Sequence, residues 1–229
     1  MNLQLILENL RGTHQLRTSS WEQIVELLKS HDIRRIGQGA FGDVFAHPSW
    51  NYVVKVFDTD SAYLTFIDFV QQHQNKHYPK IIKSPKPIHQ FHKRNKDRSE
   101  LHKYFYVVKI ERLYDITADN ENMIVDLCHE MKNVYKNHYN KQHVFMDSIR
   151  QLASKYPRQD LASLAVAVYK ALSHLKNNLP KAIADLHVGN FMQRADGTIV
   201  VIDPSTCLND SDPYFREPLE QQVIHGINH

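Results

Sequence analysis

The spacing of hydrophobic positions changes along this chain and predicts where helices and strands occur. Near the beginning, apolar residues recur at helical spacing behind Ser19 and Glu22, which form a capping-box pair. Strands are predicted where apolar and β-branched residues cluster in short runs: residues 43–47, 52–57, 104–113, 191–194 and 198–202. Further helices are predicted by their apolar periodicity: residues 61–75, 117–138, 144–156 and 161–175.

The stretch 184–204, with the sequence ADLHVGNFMQRADGTIVVIDP, combines polar residues with a predicted hairpin. Asp185 and Asn190 have D-x-x-x-x-N spacing, and Asp203 follows the second strand of the hairpin. The Asp-Gly pair at residues 196–197 is favoured in a tight primed turn between two strands. Because the hairpin folds the intervening residues back on themselves, the three polar side chains can share one site.

Two carboxylates and an amide that converge in this way make a hard oxygen site suited to Mg²⁺. Phosphoryl transfer uses such a set, because one carboxylate orients the acceptor hydroxyl while an amide and a second carboxylate hold metal on the phosphates. A simpler interpretation is that the Asp-Gly pair is an ordinary hairpin turn and that the acidic residues only cap strands. The stretch therefore needs a second motif upstream.

A glycine-rich hairpin supplies that second motif. Gly37, Gly39 and Gly42 fit the pattern G-x-G-x-x-G, and Val44 extends it to G-x-G-x-x-G-x-V. In dinucleotide-binding folds the same glycines open a helix, but here a strand, a turn and another strand follow. The glycines are therefore predicted to lie in a β-hairpin, whose backbone can cover phosphates closely because no Cβ intervenes.

Lys55 lies in the third predicted strand, within the sequence VVKV. A lysine among β-branched apolar residues is costly to bury unless its charge meets an anion. It can also be read as an edge-strand lysine that points to water. Its position on the strand after the glycine hairpin favours a role in holding the α- and β-phosphates of a nucleotide.

Bulk properties exclude several classes of partner. The 229 residues suffice for one sizeable core or two small lobes, and the net charge of +3 is too small to predict nucleic-acid binding. Two cysteines without a C-x-x-C pair suggest a reducing compartment. With no membrane span or secretory signal in the pattern, we expect no membrane association and a cytoplasmic location, and export into a host cell stays open. We do not interpret His225 and His229 as a zinc site.

In order, the glycine hairpin, VVKV, DLHVGN and IDP resemble the protein-kinase-like superfamily over roughly residues 33–203. The D-L-H-x-G-N form is similar to small-molecule phosphotransferases and atypical kinases, whereas D-P in place of D-F-G resembles short phage-encoded and bacterial effector protein kinases. The resemblance implies a two-lobed α+β fold with a small antiparallel β N-lobe and a truncated, mainly helical C-lobe. The implied parts are an N-terminal helical extension over residues 1–30, an N-lobe over 31–113 and a C-lobe over 114–229.

The resemblance also implies roles for the polar residues, with ATP and Mg²⁺ as cofactors. Lys55 and the glycine loop would hold the phosphates. Asp185 would be the catalytic Asp that acts on the acceptor hydroxyl, and Asn190 and Asp203 would hold the metal.

By the same resemblance, the strand over residues 104–113 runs into the linker between the lobes. Ile110 would lie at the back of the adenine pocket, and the backbone from Glu111 to Leu113 would meet the adenine edge. An ordinary buried strand has the same pattern, so this prediction depends on the order of the motifs.

Three departures from the family pattern bear on regulation. The helix over residues 61–75 contains no glutamate that could pair with the lysine, and Asp68 is its only acidic candidate. The His-Arg of H-R-D is absent before Asp185, and the stretch after Asp203 has no A-P-E. We therefore expect activity that is constitutive or controlled by a protein partner, and that does not depend on a phosphorylated loop.

The acceptor is the open part of the prediction. The main hypothesis is a protein Ser/Thr kinase acting on an unidentified protein substrate. The first alternative is a small-molecule phosphotransferase of the aminoglycoside-kinase type, and the second is a nucleotide-binding pseudokinase that serves as a scaffold. The missing helix glutamate supports the scaffold, and the presence of Lys55, Asp185, Asn190 and Asp203 opposes it.

Overall fold

A computed structural model describes residues 25–26, 28–39, 42–57, 60–94, 100–138, 147–148, 150–151, 154–156 and 160–207. The chain divides into two compact units: Met1–Asp60 with Lys80–Arg112, and Ser61–Pro79 with Leu113–His229. Several sequence predictions lie wholly or partly outside the described residues, namely the Ser19–Glu22 capping box, the helix over residues 144–156, and the histidines near the end of the chain.

The first unit is built on a five-stranded antiparallel sheet with the strand order β1-β2-β3-β5-β4. Its strands are β1 (Arg34–Gln38), β2 (Gly42–Ala46), β3 (Tyr52–Phe57), β4 (Ile81–Arg94) and β5 (Glu100–Glu111). The two strands predicted after the glycine pattern, at residues 43–47 and 52–57, are therefore confirmed. Such a sheet can bury one face against a core while the other stays accessible.

Side-chain alternation along β3 assigns its residues to two faces of this sheet. Val54 and Val56 belong to a buried cluster on one face, together with Val25 and Leu28 from the helical residues near the start of the described chain. Since successive side chains on a strand point to opposite faces, Lys55 lies on the face away from that cluster. The helical residues before the sheet therefore cover the face of the sheet that carries Val54 and Val56.

Strands β4 and β5 form a long hairpin that extends further than the sequence predicts. Strand β5 begins at Glu100 rather than at residue 104, and β4, for which no strand is predicted, continues to Arg94. The register pairs Arg94 with Glu100. Backbone pairing along the hairpin arm offsets the low strand propensity of these polar residues, because propensity depends strongly on context.

The described part of the second unit contains the helices α1 (Ser61–Gln72), α2 (Ala118–His138) and α3 (Leu161–Asn178). Helix α3 covers its small residues Ala165, Ala167 and Ala171 completely. Small side chains allow other elements to approach its backbone, and the Tyr78 hydroxyl donates a hydrogen bond to the Ala167 carbonyl at 2.7 Å. Burial raises the pKa of Tyr78 well above its ordinary value.

Helix α1 packs within the second unit, although the sequence-based boundaries place it in the N-lobe. Phe69 on α1 contacts the ring of His174 on α3, with ring centroids 4.8 Å apart, and meets Tyr78 edge-on at 5.4 Å. Aromatic contacts of this kind add to the apolar area that each ring buries. The described chain is therefore α+β, with an antiparallel sheet unit and a mainly helical unit, which confirms the predicted fold class.

Short strands complete the second unit: β6 (Ala182–Ala184), β7 (Phe191–Gln193), β8 (Ile199–Val201) and β9 (Ser205–Cys207). They form two antiparallel pairs, β6 with β9 and β7 with β8. Among the described residues, no helix is both long enough and apolar enough to cross a membrane.

Candidate functional site

The predicted hairpin after Asn190 is confirmed, but its turn is of a different kind. A two-residue primed turn of type I′ needs positive φ at both central residues, and only Gly197 has it, with φ 80°. The Gly197 N–H donates to the Arg194 carbonyl at 2.9 Å, and the Arg194 N–H donates to the Thr198 carbonyl at 2.9 Å. Asp196 keeps a negative φ while its carboxylate accepts the Thr198 N–H at 2.9 Å. The connection is therefore a three-residue loop with glycine in the left-handed position.

Backbone hydrogen bonds bring the three polar residues of the site together. The Asp185 N–H donates to the Pro204 carbonyl at 3.0 Å, which continues the β6–β9 pairing by one step. The Ile202 N–H donates to the Asn190 carbonyl at 2.9 Å, which continues the β7–β8 pairing. Asp203 lies between Ile202 and Pro204, so its neighbour on one side is bonded to Asn190 and its neighbour on the other side to Asp185. The backbones of the three residues are therefore adjacent, and the sharing of one site by their side chains stays a prediction.

The side chain of Asn190 is fixed by Asp185. Its Nδ2 atom donates to the Asp185 carbonyl at 2.5 Å, and its backbone N–H donates to the His187 carbonyl at 2.9 Å in the short 3₁₀ turn Val188–Asn190. An amide that donates through nitrogen has its oxygen on the opposite side. The Oδ1 atom of Asn190 therefore points away from the Asp185 backbone and is available as a ligand.

The carboxylate of Asp185 is accessible from solvent. Its side chain is 46% exposed, and its Oδ2 atom lies 3.8 Å from Nε2 of His187. The backbone of Asp185 is held on both sides, by Pro204 at the N–H and by Asn190 at the carbonyl. A carboxylate on a fixed backbone with an open face can accept a proton from a hydroxyl group that approaches it.

Asn190 and Asp203 offer the donor types that Mg²⁺ prefers, an amide oxygen and a carboxylate. Within the described part of the chain, no group of three or more His, Cys, Asp or Glu side chains is placed to hold a metal ion. Mg²⁺ sites differ from such cages, because the ion keeps waters and takes further ligands from substrate phosphates. The orientation of the Asn190 amide therefore fits a magnesium site of the open kind.

Two side chains that no sequence pattern predicts, those of His77 and Arg194, form hydrogen bonds that hold the β7–β8 hairpin. His77, in the loop after α1, is fully buried, and its Nδ1 atom lies 2.7 Å from the Ile199 carbonyl on β8. The Val201 N–H donates to the His77 carbonyl at 3.0 Å. Arg194 donates to the carbonyls of Lys76 and Tyr78, the latter at 2.9 Å. No local pattern marks a single histidine in a loop as the partner of a strand so far away in sequence.

The segment after the linker is tied to the same hairpin. Tyr114 and Gln193 exchange two backbone hydrogen bonds, each of 2.8 Å. The Gln193 side-chain oxygen also accepts bonds of 3.4 Å from the Thr117 N–H and from the Asn120 side chain at the start of α2. Strand β7 therefore joins the site hairpin to Tyr114 and to the start of α2.

In the first unit, the glycine hairpin is confirmed between β1 and β2. The Gly39 N–H donates to the Gly42 carbonyl at 2.8 Å, and Gly37 is paired with Val44 beyond a register shift in β1. Gly42 is the position where only glycine fits, because a Cβ atom there would lie 2.5 Å from the Val56 carbonyl oxygen. The glycines at 37 and 39 have room for a Cβ, with nearest atoms at 3.6 Å.

Lys55 lies in the middle of the sheet, paired with Val44 on one side and Val108 on the other. Its side chain is half-buried, and its Nζ atom is 5.9 Å from the centre of the Phe57 ring. Ile110 pairs with Val53, so by alternation it lies on the same face as Lys55. The edge-strand interpretation of Lys55 is therefore wrong, because β3 has a neighbour on each side.

Glu111 is engaged within the first unit. Its N–H donates to the Lys80 carbonyl at 3.0 Å, and its carboxylate accepts the Lys80 N–H at 2.7 Å. A backbone contact to adenine from this segment would therefore use the Glu111 carbonyl or Leu113, which remains a prediction. Asp68, the predicted substitute for the missing glutamate, is exposed and accepts a 2.8 Å bond from Gln72.

Comparison with known proteins gives little to identify the chain. The sequence matches no family model. It is not similar to any of the curated proteins. A spectinomycin phosphotransferase, solved with ADP and spectinomycin, is a structural match with 15% identity and a TM-score of 0.32, covering 83% of this chain and 70% of the other. Both values are low, so function has to be inferred from the site residues.

Proposed function

We propose that this protein is an ATP-dependent phosphotransferase that moves the γ-phosphoryl group of ATP to a hydroxyl group. The observation that carries this proposal is the junction of Asp185, Asn190 and Asp203. Backbone hydrogen bonds hold the three residues together, and the bond from Asn190 Nδ2 to the Asp185 carbonyl turns the amide oxygen outward. A scaffold that only binds nucleotide does not require an open carboxylate beside such a pair.

Within this proposal, Asp185 accepts the proton of the acceptor hydroxyl as its oxygen attacks the γ-phosphorus. The bond that breaks joins the γ-phosphorus to the bridging oxygen, and ADP leaves. The half-exposed position of Asp185 suits contact with an acceptor from solution. Its fixed backbone sets the point from which the carboxylate reaches the acceptor, which favours in-line geometry.

Asn190 Oδ1 and Asp203 would hold Mg²⁺, which neutralises charge on the phosphates when it is bound. Lys55 and the backbone of Gly37, Gly39 and Gly42 would hold the nucleotide phosphates. Ile110, Val44 and the Glu111–Leu113 backbone would contact the adenosine part of ATP.

The acceptor is proposed only as a hydroxyl. A serine or threonine side chain of a protein and an alcohol group of a small molecule are both consistent with an open carboxylate. An assay that follows ATP consumption against a panel of aminocyclitol and aminoglycoside alcohols, in parallel with a general protein substrate such as casein, separates the two classes. Turnover with one panel and not with the other decides the acceptor.

The test of the activity itself uses Asp185→Asn. We expect this change to lower phosphoryl transfer by roughly 10²–10⁴-fold, which is the range for a positioned general base, while Mg-ATP affinity measured by calorimetry changes little. The matched control is Asp196→Asn, the same substitution at an exposed position of the adjoining hairpin. Equal transfer rates in the wild type and in Asp185→Asn would refute the proposal.

A further inference from the structure

The ring of His187 occupies a defined position beside the carboxylate of Asp185. His187 has an extended backbone, with φ −147° and ψ 165°, immediately before the 3₁₀ turn Val188–Asn190. Its Nε2 atom lies 3.8 Å from Asp185 Oδ2. The two residues are two positions apart with Leu186 buried between them, so both side chains leave the same open side of the chain.

Gly189 explains why the ring can lie there. A Cβ atom at residue 189 would be 3.0 Å from Cε1 and 3.1 Å from Nδ1 of His187. These distances are tighter than ordinary van der Waals contact, so a side chain at this position would push the ring away. The Nδ1–Cε1 edge of the imidazole therefore packs on the bare backbone of Gly189, while Nε2 is the nitrogen nearest to Asp185.

The remaining freedom of Asp185 is the rotation of its side chain. Its N–H is bonded to Pro204 and its carbonyl to Asn190, so the backbone cannot turn. Shortening the 3.8 Å separation by about 1 Å would make an Nε2–H···Oδ2 hydrogen bond of normal length. Both the neutral Nε2–H tautomer and the cation of histidine can donate this bond.

We propose that His187 is a positioning residue: its Nε2–H orients the Asp185 carboxylate, and Gly189 is the glycine that lets its ring do so. With Oδ2 held by His187, Oδ1 remains for the proton of the acceptor hydroxyl. His187 acts through Asp185 and gains or loses no proton in the transfer. This inference rests on the proposed function for its kinetic consequence, and on geometry alone for the contact.

The kinetic test uses a double-mutant cycle. We expect His187→Ala to lower kcat by up to about 10²-fold, the usual cost of misplacing a reacting group by 1 Å, and Gly189→Ala, which displaces the ring by less, to cause a smaller loss, with Mg-ATP affinity and melting temperature little changed in both variants. The double variant should be no slower than His187→Ala alone, because Gly189→Ala acts only by displacing the ring. His187→Gln retains an N–H donor and should recover part of the rate. His129→Ala, an exposed histidine of the same unit, is the matched control.

Additive losses in the double variant would overturn the inference, as would equal rates in His187→Ala and the wild type. A readout without activity separates this result from failure of the proposed function. In NMR spectra, the imidazole resonances of His187 should move in Asp185→Asn and stay in place in Asp196→Asn. Unmoved His187 resonances in Asp185→Asn overturn the contact, whereas a moved resonance in a protein without phosphoryl transfer overturns only the proposed function.

Discussion

Nδ1 of His77 donates a hydrogen bond to the carbonyl of Ile199 across 122 residues of sequence, with a separation of 2.7 Å. The carbonyl can only accept, so Nδ1 carries the hydrogen, and Nε2 lies 2.7 Å from the hydroxyl oxygen of Ser163, which itself lies 2.8 Å from the Asp160 carbonyl. The imidazole thereby joins the loop after α1 to β8 and to α3. Burial lowers the pKa of His77 below its ordinary value.

This buried histidine predicts a loss of stability in acid. The folded protein keeps His77 neutral, whereas the unfolded chain binds a proton as the pH falls through the ordinary histidine value of about 6.5. The stabilising contribution is therefore complete above that value and is lost as the pH decreases towards the lower pKa of the folded state. Urea unfolding at pH 7.5 and pH 5.5 should show a lower unfolding free energy at pH 5.5.

The matched variants for this prediction are His77→Gln and His129→Gln. His77→Gln should be less stable than wild type at pH 7.5 but should vary less with pH, because the titrating group is gone. His129 is exposed, so its variant should keep the wild-type dependence. His174, whose pKa burial also lowers, leaves a residual slope of the same sign. An unchanged slope in His77→Gln would contradict the prediction.

Replacing Gly42 should destabilise the sheet of the first unit. A Cβ atom in Gly42→Ala would meet the Val56 carbonyl at 2.5 Å and the Phe57 Cβ atom at 2.7 Å, both on the paired strand β3. Overpacking of this kind typically costs about 1–3 kcal/mol of unfolding free energy. Gly39→Ala, whose nearest atom is at 3.6 Å, is the control, and equal stabilities of the two variants would show that β2 and β3 can separate freely.

Substitutions at Asn190 should separate its structural bond from its ligand role. Asn190→Asp keeps an oxygen ligand but loses the N–H that donates to the Asp185 carbonyl, whereas Asn190→Ala loses both. Both variants should lose about 0.5–1.5 kcal/mol of unfolding free energy, because the part-buried Asp185 carbonyl loses this hydrogen bond. Only Asn190→Ala should also lose Mg²⁺-dependent ATP affinity. Calorimetry that finds this affinity equal in both variants would remove Asn190 from the metal set.

Asp203 should be required for metal-dependent nucleotide binding. The residue lies between the two backbone bonds that join Asn190 to Ile202 and Asp185 to Pro204, so Asp203→Ala removes a carboxylate without removing either bond. We expect weaker ATP binding in the presence of Mg²⁺ and unchanged binding in its absence. Identical affinities with and without Mg²⁺ in the wild-type protein would refute the metal assignment.

Ser205 should not serve as a regulatory phosphorylation site. It is buried in β9 opposite Ala184, and its hydroxyl has no hydrogen-bond partner among the described residues. Ser205→Ala should therefore retain full activity and be as stable as the wild type or more stable, since a buried polar group without a partner is removed. A large loss of activity in this variant, with intact ATP binding, would reveal a switch in this strand.

Local sequence was enough to predict the elements that depend on neighbouring residues. The glycine pattern and the strand runs after it predicted the hairpin of β1 and β2. The β-branched residues of β3 favour a strand. Because Gly42 has no side chain, β3 can approach β2 closely. The D-x-x-x-x-N spacing and the Asp-Gly pair predicted the junction of Asp185, Asn190 and Asp203, because the folded hairpin leaves few other arrangements. The predicted turn type was wrong, because the Asp196 side chain bonds Thr198 and keeps φ negative.

Tertiary packing decided what no local pattern encodes. Helix α1 follows β3 in sequence but joins the helical unit, because Phe69 and Tyr78 pack against α3. His77 and Arg194 hold the site hairpin through bonds across 122 and 116 or more residues, which leave no periodic trace in the sequence. Spacing alone determined which residues could share the site. The three-dimensional contacts determined how the Asn190 amide turns, because hydrogen bonds form between atoms that only folding brings within reach.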